Sequence, residues 1–506
     1  MIRLTHDVRH DVSAPQTLRL IDELADQFQQ HGIAYVHWKS NIHLSRALAG
    51  IDDLDLLVDR ASAGAALSVL CQLGFRQAYR QRTVPIPGIT HYFGLDRDTG
   101  QMVHVHLHLR LVVGHDLTKN FHLPVESAVV ASAQHDTPLP TPAPEVEMIL
   151  YVLRMVLKCT WRRNHLRAFD QLGQHVELDY HLRRSDSARA REWLSRYLPC
   201  VTHDLFFACV QAAQVGTTTW QRMRVRGQLH RALQPHGRQL PTWDACLKMG
   251  RRLQASAARR LRWTTPGKQL AGGGMVLAVV GGDGSGKSTL VNRLEQHFRR
   301  HLTTDRVHMG KPPRSWLTRS VELISKAVRR IASAASTRPA SASNPEPLTF
   351  WQLTRAACLA RDRYRLYRRV RRSAACGWIV LCDRWPVAGL KQMDSPPSFV
   401  PNSATSIGAA SPVAARLAQW LTDRAQWYHQ QILPPDRMLV LRVPPDVAVA
   451  RAQQRGGSMR ESQLRARSEE AWQFSWNPHT AHVIDGQQDV EQVAREAIAA
   501  VWERLN

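Results

Sequence analysis

The chain has 506 residues, with 67 Lys+Arg against 42 Asp+Glu, a formal net charge of +25 and 44% hydrophobic residues. That hydrophobic content excludes a disordered chain, and the length suits about three ordinary domains. The charge points either to anionic partners (nucleotides, nucleic acid, anionic membrane surfaces) or to a solvated basic surface.

The opening run MIRLTHDVRHDVSAPQ lacks an apolar signal core, so no secretion signal is expected. QTLRLIDELADQFQQHG has apolar residues at helical spacing and predicts a helix stopped at Gly32. IAYVHWKS and LDLLVD predict strands. QMVHVHLHLRLVV alternates strictly and predicts one continuous strand. The Pro-rich stretch HDTPLPTPAPEVE closes this segment. EVEMILYVLRMVLKC, apolar on nearly every side, predicts a buried helix. The basic stretch 222–262 reads as a solvated helix face or as a phosphate-facing surface. TTPGKQLAGGG predicts a flexible joint. From MVLAVVG onward, apolar strands alternate with basic helices, the pattern of an α/β parallel sheet. Two Ser/Ala/Pro-rich stretches, ASAASTRPASASNPEP and SPPSFVPNSATSIGAASP, read as mobile loops or insertions. The expected organisation is an α+β domain over 1–140, a helical, basic extension and linker over 141–270, and an α/β domain with a doubly wound parallel sheet over 271–506.

No uninterrupted apolar run is long enough for a membrane span. The eight cysteines form no CxxC pair, which suits reduced thiols in a cytoplasmic protein.

Residues 281–288, GGDGSGKS, fit G-x-x-x-x-G-K-[ST] at every fixed position, between a predicted strand and a predicted helix. The glycines let backbone N–H groups curl round phosphates, and the helix N-terminus adds partial positive charge. ATP binding is assigned to Gly281, Gly282, Asp283, Gly284, Ser285, Gly286, Lys287, Ser288 and Thr289, with Lys287 on the β- and γ-phosphates and Ser288 on Mg²⁺. GWIVLCDRWPVAG predicts a strand ending in Asp383-Arg384-Trp385. There an aspartate can hold Mg²⁺ or orient the acceptor, and an arginine can grip an acceptor phosphate. Arg460, Arg465 and Arg467 read either as a lid over the transferring phosphoryl group or as a solvated helix.

These pieces bring a resemblance. The segment 273–506 resembles the thymidylate kinase family of P-loop nucleoside monophosphate kinases through GGDGSGKST, ARDRYRLYRRV, IVLCDRW, VPPDVAVARAQQRG and HVIDGQQDVEQVAREAI, in the family's order. The resemblance implies phosphoryl transfer from ATP, with Mg²⁺, to dTMP or a related nucleoside monophosphate. It places Asp283 near the acceptor sugar hydroxyl or Mg²⁺, Arg384 on the acceptor phosphate, Arg363 near the base, and Arg451 and Arg455 on the lid side, with Asp383 and Lys287 in the catalytic set. It is compatible with a homodimer. The chain departs from the family at Val280, at Leu359 where an aromatic ring would stack on the base, at Trp385 in place of a tyrosine, and in VHMGKPPRSW. Two other functions stay open: a kinase for a sugar or glycan intermediate of surface polysaccharide, and an ATP-gated protein that binds nucleic acid through 222–262.

Near the N-terminus, HWKSNIHLSRALAGIDDLDLLVDR resembles the nucleotidyltransferase superfamily, with Lys39-Ser40 at its small-residue turn and Asp53 and Asp55 as D-x-D. The resemblance implies that Asp53 and Asp55 jointly hold Mg²⁺ against a triphosphate. His104, His106 and His108 share one face of a predicted strand. They read as a substitute for the third carboxylate, suited to ions softer than Mg²⁺, or as a strand face packed under a helix.

Overall fold

The structure, a computed structural model, describes residues 16–80, 86–159, 170–214, 216–260, 267–387 except 336–349, 390, 412–454 and 461–505. It divides into two compact units, Met1–Thr265 and Pro266–Asn506.

In the first unit the strands β1 (Tyr35–His37), β2 (Leu54–Val58), β3 (Arg76–Tyr79), β4 (Ile89–Leu95) and β5 (Met102–His108) lie in the order β1-β2-β5-β4-β3. β2 and β5 run parallel, and the remaining pairs are antiparallel. Alternation sorts the residues between two faces. Leu54, Leu56 and Val58 of β2 and Val103, Val105 and Leu107 of β5 join a core with Ile21, Leu24 and Phe28 of the helix Arg19–Gln30. The residues between them put Asp55, His104, His106 and His108 on the opposite face. On that side Val36, Trp38 and Leu57 pack with the helix Pro144–Lys158, which is buried along most of its length as its composition predicts.

The strand predicted over QMVHVHLHLRLVV is broken after His108. β6 (Leu111–Val113) leaves the sheet and pairs with β7 (Phe121–Leu123). The cause is loss of a partner: β4 begins at Ile89, opposite His108, and Leu109 N donates to Gly88 O in the preceding turn. The basic stretch forms the helices Thr219–Ala232 and Pro241–Arg260. Several of its arginines fasten neighbouring backbone: Arg222 binds Gln214 O, Arg238 binds Lys119 O, and Arg251 binds Leu117 O.

In the second unit a two-residue strand, β8 (Gln269–Leu270), leads into β9 (Met275–Gly281), followed by β10 (Thr304–His308), β11 (Ile379–Asp383), β12 (Arg437–Arg442) and β13 (Ala481–Asp485). The last five form a parallel sheet in the order β10-β11-β9-β12-β13. Central β9 is buried throughout, so both its faces are covered, and its near-continuous apolar run reflects that. The expected flexible joint is packed at Gly267 and Gly274, while Ala271 and Gly272 between them are exposed. A Cβ on Gly267 would lie 2.3 Å from the Leu302 carbonyl carbon, and one on Gly274 2.0 Å from Trp378 O. These glycines allow close backbone approach. Apart from their ends, both Ser/Pro-rich stretches lie outside the described residues. Among the described residues, no helix is long and apolar enough to cross a membrane.

Candidate functional sites in the two units

The glycine-rich loop lies between the end of β9 and the helix Lys287–Arg299. Gly286 precedes that helix at φ 94°, and no side chain among the described residues caps the first turn. A helix start of this kind can present leading N–H groups to an anion, where the helix dipole favours negative charge. Gly284 sits at φ 90°, and a Cβ there would lie 2.0 Å from Ala448 O, so the backbone of the helix Pro445–Gln454 closes over the loop. Lys287 is buried and donates to Gly281 O at 3.1 Å and Gly282 O at 2.7 Å. Ser288 and Thr289 are exposed at the start of the helix, and the Ser285 hydroxyl is buried.

Asp283 is the electrostatic hub of this site. Arg384 Nη2 donates to its Oδ1 at 3.0 Å and Arg467 Nη1 to its Oδ2 at 3.1 Å, while Lys287 Nζ stands 3.8 Å from Oδ1. Burial alone would raise the Asp283 carboxyl. The Lys287, Arg384 and Arg467 cations outweigh it and hold the group below the usual carboxylate range. Asp383 ends β11, next to β9, and its Oδ2 accepts from Ser288 Oγ at 3.1 Å. Arg306 Nη2 lies 3.9 Å from the same oxygen. A hydroxyl and a carboxylate are hard oxygen donors, the kind Mg²⁺ takes.

The remaining predicted residues divide. Arg363 donates from Nε to Met309 O at 3.0 Å and so ties the helix Phe350–Ala375 to the segment after β10. Arg451 donates to Gly486 O, and Arg465 pairs with exposed Asp446. Of the two candidate lid arginines among the described residues, Arg467 is joined to Asp283. Arg455 and Arg460 lie outside the described residues. Trp385 is 1% exposed and belongs to the core with Tyr367 and Val380. Arg306 was not anticipated, since a single arginine on a short strand carries no distinguishing sequence signal.

The first unit holds a separate polar cluster. Asp53 precedes β2, is half exposed, and binds His104 Nδ1 through Oδ1 at 2.5 Å. Asp55 is buried in β2, and three groups surround its Oδ1: Lys39 Nζ at 2.7 Å, His106 Nδ1 at 2.9 Å and His108 Nε2 at 3.5 Å. One potential ligand atom from each of Asp55, His106 and His108 lies within 4.8 Å of the others. Asp53 is outside that group, because the D-x-D alternation holds only within a strand and β2 starts at Leu54. Burial opposes the Asp55 charge, but Lys39, with the imidazoles of His106 and His108, keeps the carboxyl well below its ordinary range. Burial pushes His106 down and His108 well down, so both favour the neutral form. Burial also lowers Lys39, and it lowers Lys119 to about 8.

Arg154 and Lys39 both stand over the Trp38 ring, at 5.0 and 5.4 Å from its centroid, and Lys158 pairs with Asp116 at 3.3 Å. Arg154 and Lys158 were missed in the sequence, although two cations four residues apart in the apolar run MILYVLRMVLKC were a usable signal.

No protein-family model matches the chain. Over 179 residues it is 26% identical to YghR of Escherichia coli K12, described as an uncharacterized ATP-binding protein, covering 35% of this chain and 67% of that protein. The protein of the same description from E. coli O6:H1 gives the same figures. Among solved structures, a deoxyadenosine kinase from M. mycoides with bound dATP is similar at 15% identity and a TM-score of 0.24, covering 45% of this chain and 99% of that one.

Proposed function

We propose that the second unit is an ATP-dependent phosphotransferase of thymidylate kinase-like type, acting on dTMP or a related nucleoside monophosphate. The observation that carries this reading is the convergence of Lys287, Arg384 and Arg467 on Asp283, beside the uncapped start of the helix Lys287–Arg299. One carboxylate faces three cations, an arrangement suited to receiving the charge of bound phosphates. The similarity to an ATP-binding protein supports the donor.

In this reading the N–H groups of residues 281–289 cradle the donor phosphates. Lys287 turns from the loop carbonyls to the β- and γ-phosphates. Arg384 grips the acceptor phosphate, and Arg467 lies over the transferring group. Ser288 and Asp383 would hold Mg²⁺, which neutralises phosphate charge. Catalysis then rests on positioning and electrostatic stabilisation.

Two features favour a second acceptor, a sugar or glycan intermediate. Leu359 offers no ring for a base to stack on, and Arg363 binds the backbone of Met309. In the first unit we assign nucleotidyl-transfer-type chemistry to the sheet face bearing Asp55, with Lys39 and Arg154 close by.

The test is ADP release by the full chain with ATP and Mg²⁺, across dTMP, dUMP, other monophosphates and simple sugars, with Lys287→Ala as the blank. A Lys287-dependent signal with dTMP is expected. A signal with sugars alone selects the second acceptor. No Lys287-dependent signal with any acceptor overturns the phosphotransferase reading.

A further inference from the structure

We propose that Asp55, His106 and His108 form a binding site for a divalent transition metal of the zinc class, and that Lys39 and Arg154 hold a phosphate-bearing ligand beside it. The inference does not depend on phosphoryl transfer in the second unit.

The ligand set is held by the sheet. Asp55 and His106 are cross-strand partners in the parallel pair β2–β5, and His108 follows two residues on along the same face. The geometry therefore needs no loop closure. One potential ligand atom from each residue already lies within 4.8 Å of the other two.

His108 supplies the independent sign of a missing partner. Its side chain is 1% exposed, and neither ring nitrogen has a hydrogen-bond partner among the described residues. Nε2 faces Asp55 Oδ1 at 3.5 Å, a long, weak contact with room for a shared ion. Buried polar atoms in folded proteins are normally satisfied, and a bound ion is one recognised partner for such an orphan.

The Lys39 ammonium, 2.7 Å from Asp55 Oδ1, stands in for a cation at that oxygen. Two imidazoles and one carboxylate match the donors of zinc and its neighbours. Mg²⁺ and Ca²⁺ prefer oxygen throughout.

A metal on Asp55 would displace Lys39. The freed ammonium then lies with Arg154 over the Trp38 ring. Lys119 stands near enough to Lys39 and Lys158 for their charges to lower its pKa, and Asp116 pairs with Lys158. Such an excess of positive charge beside a metal suits a phosphate group. Metal and phosphate should therefore tighten each other, as linkage requires.

The experiment is a Co²⁺ titration of the chelator-treated full chain, read by visible absorption, with and without inorganic phosphate. One site per chain is expected, with Mg²⁺ failing to compete at a hundredfold excess. His108→Ala and Asp55→Asn should each weaken Co²⁺ at least a hundredfold, and Lys287→Ala should not. His106→Gln, at a less buried position, gives a second test if His108→Ala melts at a lower temperature. Phosphate should tighten Co²⁺ at least fivefold, and Lys39→Met should abolish that gain while leaving Co²⁺ bound. Co²⁺ affinity unchanged in Asp55→Asn and His106→Gln, or matched by Mg²⁺, overturns the metal site. Phosphate coupling that survives in Lys39→Met overturns the anion site.

Discussion

Arg384 Nη2 reaches Asp283 Oδ1 at 3.0 Å from a backbone held at φ 69°. A side-chain-bearing residue in this left-handed region costs about 1 kcal/mol or more relative to glycine. That strain, at the end of a strand beside the phosphate loop, aims the guanidinium at the site. Arg384→Gly and Arg384→Ala both remove the ion pair, which is partly exposed and worth about 0–1 kcal/mol. Arg384→Gly alone also relieves the strain. It should be more stable than Arg384→Ala by about 1 kcal/mol in denaturant unfolding, while both lose at least about tenfold in phosphotransfer. Equal stabilities would show that the conformation carries no strain.

Gly284 and Gly286 both have positive φ, yet their surroundings differ. A Cβ on Gly284 would lie 2.0 Å from Ala448 O, whereas one on Gly286 would meet nothing within 4 Å. Gly286→Ala should therefore cost about 1 kcal/mol of backbone strain without displacing a neighbouring element. Gly284→Ala must also push the helix Pro445–Gln454 off the loop. Its expected cost is about 3 kcal/mol or more, with ATP affinity lost. Thermal unfolding and nucleotide binding of the two variants, measured side by side, check the contrast.

The phosphate loop was legible because its residues are contiguous and each glycine answers a local demand. The apolar/histidine alternation of β5 was legible too, since it places Val105 and His106 on opposite faces. The break after His108 was not, because it depends on where β4 begins rather than on LRLVV itself. Asp53 and Asp55 look equivalent in D-x-D. Only the pairing of β2, starting at Leu54, separates a half-exposed carboxylate from a buried one. In the same way nothing local distinguishes Arg467 from Arg465; helix phase turns one toward Asp283 and the other toward Asp446.

Acid should destabilise the fold through its half-buried imidazoles. Burial, aided by nearby cations, pushes His230, His297 and His429 down to about 4. Unfolded, each titrates near 6.5. Between those values the unfolded chain binds protons that the folded chain refuses, so stability falls as pH falls. It is fully present above about pH 6.5, and the loss levels off near pH 4. Each group contributes at most about 1.4 kcal/mol per pH unit. His297→Gln should flatten the pH dependence of unfolding free energy across that window. An unchanged slope would mean that His297 is protonated in the folded protein.

The Ser288 hydroxyl donates to Asp383 Oδ2 at 3.1 Å while remaining exposed at the helix start. Replacing an exposed serine should change stability by no more than about 0.5 kcal/mol. If Ser288 and Asp383 hold Mg²⁺ against the donor, Ser288→Ala removes one oxygen ligand and leaves the loop's N–H cradle intact. The Mg²⁺ concentration for half-maximal phosphotransfer should then rise about tenfold, with much of the activity recovered at saturating Mg²⁺. ADP binding without Mg²⁺ should stay within about twofold of the parent, since the backbone donors that hold its phosphates are untouched. A Ser288→Ala protein with an unaltered Mg²⁺ requirement would place the ion elsewhere and leave the serine as a partner of Asp383 alone.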